Sequence, residues 1–149
     1  FSDLATSVGL DVRLKKAVAR MGLIRPTLVQ SKCLPLAISE GKDLLVRART
    51  GSGKTVAFCL PLLQKIITKS KTQEKGNQVQ AIILVPTKEL CTQVHQTILD
   101  LTYYCDEMIN GAILSSRKPA DIARQEAMLR DRPKFLVATP AGLLAQIKN

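Results

Sequence analysis

Aromatic residues are scarce: two Tyr, three Phe and no Trp make up 3% of the 149 residues. A platform that stacks several splayed bases is therefore not expected. There is one histidine, His95, with no His or Cys at metal-ligand spacing, and it reads as a surface or packing residue. The four cysteines (Cys33, Cys59, Cys91, Cys105) form no Cys-x-x-Cys pair and sit in apolar or helix-like settings. Buried free thiols in a reducing compartment are the expectation. No uninterrupted apolar run is long enough to span a bilayer, so no membrane partner is expected. No secretory signal peptide opens the chain, whose abrupt start at Phe1 leaves room for an upstream segment.

Acidic residues are also in short supply, 12 against 22 Lys plus Arg, for a net charge of +10. That balance favours an acidic polymer, most plausibly nucleic acid, over a merely solvated basic surface. With so few aromatics, such a polymer would be gripped through its phosphates and sugars. Hydrophobic content of 46% and charged content of 23% are ordinary for a globular protein, and the length suits one domain.

The chain is organised around Ala48-Arg49-Thr50-Gly51-Ser52-Gly53-Lys54-Thr55. Asp43-Leu44-Leu45-Val46 before it reads as a buried strand, and Val56-Ala57-Phe58-Cys59-Leu60 after it begins a helix. Strand, Gly-rich turn, Lys-Thr and helix match a phosphate-binding loop. Glycines let successive amide N–H groups converge on anionic oxygens, and the helix N-terminus adds partial positive charge. Lys54 would reach the β- and γ-phosphates, and the Thr55 hydroxyl would help hold Mg²⁺. One departure is Ala48, where the general pattern opens with Gly.

Residues 11 to 21 read as an amphipathic helix with Val12, Leu14, Val18 and Met21 as its stripe, Asp11 near its start and Gly22 at its end. A second helix follows Pro26 and runs to about Ile38, with Thr27 as cap and Gln30 at its third position. Read locally, Gln30 completes a capping box. Ser70 to Gln78 reads as an exposed loop. Strands are expected over 80–85, 109–114 and 135–138, and helices from Leu90 to Leu101, from Pro119 to Leu129 and after Thr139-Pro140. Four strand–helix alternations predict a single α/β domain with a mostly parallel sheet covered by helices on both faces. Ligands then gather at the carboxyl ends of strands, where the phosphate loop, Pro86-Thr87-Lys88-Glu89-Leu90 and Thr139-Pro140 lie.

These segments, in this order and over essentially the whole chain, resemble the first RecA-like domain of a DEAD-box ATP-dependent RNA helicase. Gly22 to Gln30 is similar to that family's Q motif. Ala48 to Thr55 matches its phosphate loop, and the family's usual Ala accounts for position 48. Pro86-Thr87-Lys88-Glu89-Leu90 resembles its Pro-Thr-Arg-Glu-Leu motif, and Thr139-Pro140 opens its Thr-Pro-Gly-Arg-like motif. Arg47-Ala48-Arg49-Thr50 and Lys88 look like the nucleolar members that assist large ribosomal subunit assembly.

By position, the resemblance implies that Gln30 reads the adenine edge of ATP, with Arg25 and Pro26 shaping the base pocket. It implies that Ala48 to Thr55 hold the ATP phosphates, with Lys54 and Thr55 serving catalysis and Thr55 the Mg²⁺ ion. Pro86, Thr87, Thr139 and Pro140 would contact the RNA backbone, and Glu89 would brace that loop. Arg117, Lys118 and Arg124 either extend the basic track or form a solvated face. The parent would be an RNA-stimulated ATPase that unwinds short duplexes or remodels RNA–protein complexes. It would be a nuclear, nucleolar monomer whose partners are pre-ribosomal RNA and assembly proteins.

Three departures bear on these roles. The family's adenine-stacking aromatic has its counterpart in Phe1, four residues too far from Gly22, so either an insertion loops out or Phe1 does not stack. Ser115-Ser116 stands where many members have Gly-Gly. Ala141-Gly142 replaces Gly-Arg after Thr139-Pro140, which removes an expected phosphate-binding arginine. The chain stops before an Asp-Glu-Ala-Asp box, a Ser-Ala-Thr motif or a second domain. The expectation is a fragment of a larger enzyme that alone binds nucleotide weakly and does not hydrolyse it. Two other readings are a nonenzymatic RNA-binding module with a vestigial nucleotide fold, and another P-loop NTPase such as a nucleotide kinase or GTPase.

Overall fold

A computed structural model of the chain describes residues 1–72 and 78–147. In order, the elements are α1 (Ser2–Ser7), α2 (Val12–Arg20), α3 (Leu28–Leu34) and a π-helical turn over Pro35–Ser39. There follow α4 (Lys54–Thr72), β1 (Ala81–Leu84), α5 (Lys88–Leu101) and a 3-10 turn over Asp106–Met108. The chain continues through β2 (Gly111–Leu114), α6 (Pro119–Arg130), β3 (Phe135–Ala138) and α7 (Pro140–Ile147).

Local chemistry sets most of these boundaries. Asp11 opens α2 by accepting from the Arg13 N–H at 3.0 Å, and Leu14, Ala17 and Val18 bury its inner face. Val12, expected in that stripe, is exposed. Thr27 and Gln30 form the capping box expected at the start of α3. Pro35 has no N–H to give the Ser31 carbonyl, and the helical ladder there shifts register, with Glu40 N–H donating to Pro35 O at 3.2 Å. Helix α4 continues to Thr72, so the loop expected from Ser70 begins later, and residues 73–77 of it lie outside the described residues. Helix α1 was not anticipated. It has no side-chain cap, and its Leu4 and Ala5 pack into the core.

The described strands form one parallel sheet in the order β1-β3-β2. Ala81 and Gly111 both register with Phe135, on opposite sides of β3. Parallel neighbours demand crossovers, supplied here by α5 and α6. All four residues of β3 are buried, as befits a central strand covered on both faces. Phe135, Val137 and Ile83 join Leu60, Leu63, Val94 and Ile98 of α4 and α5 in the larger core. Ala112, Leu114, Leu136 and Ala138 meet Leu129 of α6 and Leu143 of α7 in the smaller one.

The strand expected over Asp43-Leu44-Leu45-Val46 is not formed. Residues 41–49 have neither helix nor strand, and Leu45 is fully exposed at 103%. A parallel strand persists through ladder hydrogen bonds to a neighbour, and apolar content does not replace them. Among the described residues nothing pairs with this segment, and the outer edge of β1 stays open with Ile82 and Leu84 half exposed. The described sheet therefore has three strands, not the four expected.

Candidate nucleotide and nucleic-acid site

The candidate phosphate-binding sequence folds as a tight turn running into the first turn of α4. Gly51 and Gly53 adopt φ of +75° and +81°, a backbone that other residues adopt only with strain. At Gly53 space forbids a side chain as well: a Cβ would lie 2.6 Å from Gln30 Nε2 and 3.0 Å from Thr27 Oγ1. Lys54 folds back over its own loop. Its ammonium donates to Ala48 O at 2.7 Å and Arg49 O at 2.5 Å, with Ser52 Oγ at 3.4 Å. A cation held by backbone carbonyls at a helix N-terminus has the donor set of an anion site, and incoming phosphate oxygens would replace those carbonyls. Thr55 follows in the first turn and lines the same cleft.

Gln30 is 98% buried and bridges two motifs, since its relative exposure is 2%. Its Oε1 accepts from the Thr27 N–H at 2.9 Å, and its Nε2 donates to Gly53 O at 3.2 Å. The Thr27 hydroxyl accepts in turn from the Gln30 N–H at 3.3 Å. The amide so tied keeps one lone pair on Oε1 and one N–H on Nε2. By valence the amide could still pair with a base edge, but at 2% exposure it would first have to be uncovered. Pro26 beside it is half-buried, while Arg25 is exposed between Ile24 and the half-buried Pro26. Phe1 does not hang free: its ring packs partly against the core.

A cleft of about 990 Å³ runs from Gly51, Lys54 and Thr55 past Phe58 to Val85 and Leu90. It joins the phosphate loop to the start of α5. There Pro86 and Thr87 leave β1, and the Thr87 hydroxyl caps α5 by accepting from the Leu90 N–H at 3.2 Å. On the neighbouring strand Thr139 is buried and its hydroxyl accepts from the Gly142 N–H at 3.1 Å, with Pro140 opening α7. The Val85 N–H donates to Ala138 O at 2.9 Å, so the two capped helix starts stand side by side at the carboxyl end of the sheet.

A group not anticipated from the sequence borders them. Ser116, after β2, donates its hydroxyl to Asp121 Oδ2 at 2.7 Å. That hydrogen bond, chiefly, holds the Asp121 carboxyl below the usual carboxylate range, and Lys88, Lys118 and Arg124 act in the same direction. The sequence signal was an acid three residues into a helix opened by Lys118-Pro119, with a hydroxyl residue upstream, an extended relative of the capping box. Elsewhere burial pushes the Cys59 thiol up to about 12, and all four cysteines are free and buried, as expected. His95 packs beside Phe135 at 5.9 Å between ring centroids, and burial lowers its pKa. Among the described residues no group of three or more His, Cys, Asp or Glu gathers as a metal site, and no helix is long and apolar enough to cross a membrane.

Residues 27–149 match the family model of the DEAD/DEAH box helicases. The chain is 44% identical over 144 residues to a Dictyostelium discoideum protein named "Probable ATP-dependent RNA helicase ddx56", covering 96% of this chain and 20% of that one. It is 43% identical over 141 residues to the ATP-dependent RNA helicase dbp9 of Neosartorya fischeri, covering 95% and 22%. The chain thus spans about a fifth of the length of these curated relatives. Among solved structures, a hypothetical ATP-dependent RNA helicase from Sulfolobus tokodaii superposes with a TM-score of 0.76 at 32% identity, over 93% of this chain and 37% of that one. The DEAD-box helicase Mss116 bound to ssRNA and UDP-BeF gives 0.79 at 29%, over 94% and 28%. The fold is that of a RecA-like α/β helicase domain.

Proposed function

Because the chain belongs to the DEAD/DEAH box helicase family, we propose that it is the first of two RecA-like domains of an ATP-dependent RNA helicase. The parent would be an RNA-stimulated ATPase that unwinds short duplexes or remodels RNA–protein complexes. The observation that carries this reading is the hydrogen bond from Gln30 Nε2 to Gly53 O. It fuses a candidate base-reading amide to a phosphate-binding turn, so base and phosphates of one nucleotide can be engaged together.

ATP would lie with its phosphates over residues 48–55 and its adenine against Gln30, Arg25 and Pro26. The free N–H and lone pair of Gln30 match adenine's adjacent acceptor and donor, whereas guanine presents a different pattern. Lys54 would turn from Ala48 and Arg49 to the phosphates, where charge-assisted hydrogen bonds are stronger. Mg²⁺ would be held on this chain by the Thr55 hydroxyl together with phosphate oxygens, and would neutralise charge developing in the transferred group. RNA would lie across the carboxyl end of the sheet, against Pro86, Thr87, Thr139 and Pro140. Contacts of that kind repeat at every nucleotide and give little sequence selectivity. Closure of a second domain over the cleft would complete the catalytic site.

The likeness of Arg47-Ala48-Arg49-Thr50 and Lys88 to nucleolar members supports a nucleolar role in ribosome assembly. The parent would act there as a monomer on pre-ribosomal RNA.

Calorimetric titration with ADP and with GDP tests the nucleotide site. ADP should bind more tightly, Gln30→Ala should erase the preference, and Lys54→Ala should lower affinity by about tenfold or more, as for a lost hydrogen bond to a charged group. Equal binding of ADP and GDP, unchanged in Gln30→Ala, would leave Gln30 as a helix cap alone. The chain by itself should show no Lys54-dependent ATP turnover.

A further inference from the structure

Ser116 occupies a place where a glycine would leave the turn after β2 free to move, and here the turn is held from both sides. On one side the Thr139 N–H donates to Leu114 O at 3.1 Å. Gly142 of α7 also presses so close that a Cβ on it would lie 2.3 Å from Leu114 O and 2.9 Å from Ser115 Cα. On the other side runs a relay. The Lys118 N–H donates to Ser116 Oγ at 3.3 Å, and Ser116 Oγ donates to Asp121 Oδ2 at 2.7 Å. Lys118, at the start of α6, makes no side-chain cap of its own. The Asp121 carboxylate reaching back is what ties that helix start to the turn.

A carboxylate here has the wrong sign for an RNA surface. Lys88, Lys118 and Arg124 lie near enough to stabilise its charged form, and each positive residue it neutralises is one fewer for phosphate. Coulomb's law alone therefore makes Asp121 a cost to RNA binding. We propose that Asp121 is a positioning residue for RNA: through the Ser116 hydroxyl it holds the turn after β2 so that Arg117 and Lys118 are presented at the carboxyl end of the sheet. The proposal rests on the RNA reading above. Both side chains are exposed, and fixing their backbone beforehand spares ordering entropy when RNA binds.

The sign of the effect makes the test sharp. Fluorescence anisotropy of a labelled uridine oligoribonucleotide at low salt would compare the chain with S116A, D121A, D121N and the S116A/D121A double variant. ADP titration and thermal midpoints serve as parallel readouts. S116A and D121A should each weaken RNA binding about threefold to tenfold, the worth of one net hydrogen bond, with ADP affinity unchanged. The double variant should be no worse than either single one, since both remove the same link. D121N keeps an acceptor for the Ser116 hydroxyl and sheds the charge, so it should bind at least as tightly as wild type. Tighter RNA binding by D121A with S116A unchanged would make Asp121 a mere electrostatic neighbour and overturn the proposal. A parallel fall in thermal midpoint, ADP affinity and RNA affinity would do the same. RNA binding equal to wild type in Thr87→Ala, Thr139→Ala and R117A/K118A would overturn the RNA reading itself, and the positioning role with it. Loss in those variants alone would sink only the positioning role.

Discussion

At the carboxyl end of the sheet, Thr87 and Thr139 cap helices whose preceding strands lie in one ladder, joined by the Val85 N–H to Ala138 O bond. At the phosphate loop, α4 is preceded by residues 41–49, which have no ladder at all. Both regions place a polar motif where an apolar run gives way to a helix. In the first, the motif's position is set by neighbours on either side. In the second, it is set within the turn by Lys54 on Ala48 and Arg49, and from outside by one distant donor, Gln30 Nε2 on Gly53 O. A motif's internal geometry can thus be local while its placement in the fold is not. Under the proposed function the difference would also separate roles: the ladder side would present a fixed surface to RNA, and the phosphate-loop side a turn that nucleotide would reopen.

One substitution made on each side exposes the contrast most directly. Leu136, in β3, is 5% exposed, and Leu45 is 103% exposed. Leu136→Ala should lower unfolding free energy by about 2–5 kcal/mol, as for a buried leucine leaving a cavity. Leu45→Ala should change it by less than about 0.5 kcal/mol. Urea unfolding of both variants decides the matter. A Leu45→Ala loss close to that of Leu136→Ala would mean that 43–46 is packed in solution, and the contrast would collapse.

Close packing gives a smaller test. Gly142 presses on the backbone of β2, where a Cβ meets Leu114 O at 2.3 Å, while Gly51 of the phosphate loop has open space around it but φ of +75°. Gly142→Ala must displace backbone and should cost about 1–3 kcal/mol, together with RNA affinity, because it moves Thr139 and the turn at Ser115. Gly51→Ala should cost about 1–2 kcal/mol through left-handed strain, and should reduce ADP binding while leaving RNA binding intact. Thermal midpoints with the two ligand titrations would show whether the losses separate in this way. Coincident losses of both ligands in both variants would show that the two regions are not independent.

How far the sequence could be read follows the same division. The capping box of Thr27 and Gln30 was legible because both partners lie three residues apart. The span of β3 was legible because Phe135-Leu136-Val137-Ala138 is apolar on both faces and bounded by Lys134 and Thr139. Asp43-Leu44-Leu45-Val46 is apolar at three of its four positions and forms no strand, since pairing depends on residues distant in sequence. Helix α1 escaped because its order comes from packing Leu4 and Ala5, without a side-chain cap. The Ser116–Asp121 bond lay outside the usual capping spacing, and Gln30's tie to Gly53 spans 23 residues. The site's residue types were thus readable, and its cross-links were not.

The ladder side also carries the chain's single histidine, and pH gives the gentlest probe of it. His95, on α5, packs beside Phe135 of β3, and burial lowers its pKa from 6.5. The folded state therefore binds this proton less readily than the unfolded chain. As pH falls through 6.5 the unfolded state takes up the proton first, and stability is lost until the folded pKa is also passed. Above 6.5 the group contributes no slope. Urea unfolding between pH 7.5 and pH 5 should show this loss, and His95→Gln, which carries no titrating ring, should flatten it. Carboxylates titrate mainly below this window, so they do not mask the difference. An equal slope in wild type and His95→Gln would mean that the ring is solvated in solution, and that the packing of α5 on β3 is looser than the geometry of Phe135 implies.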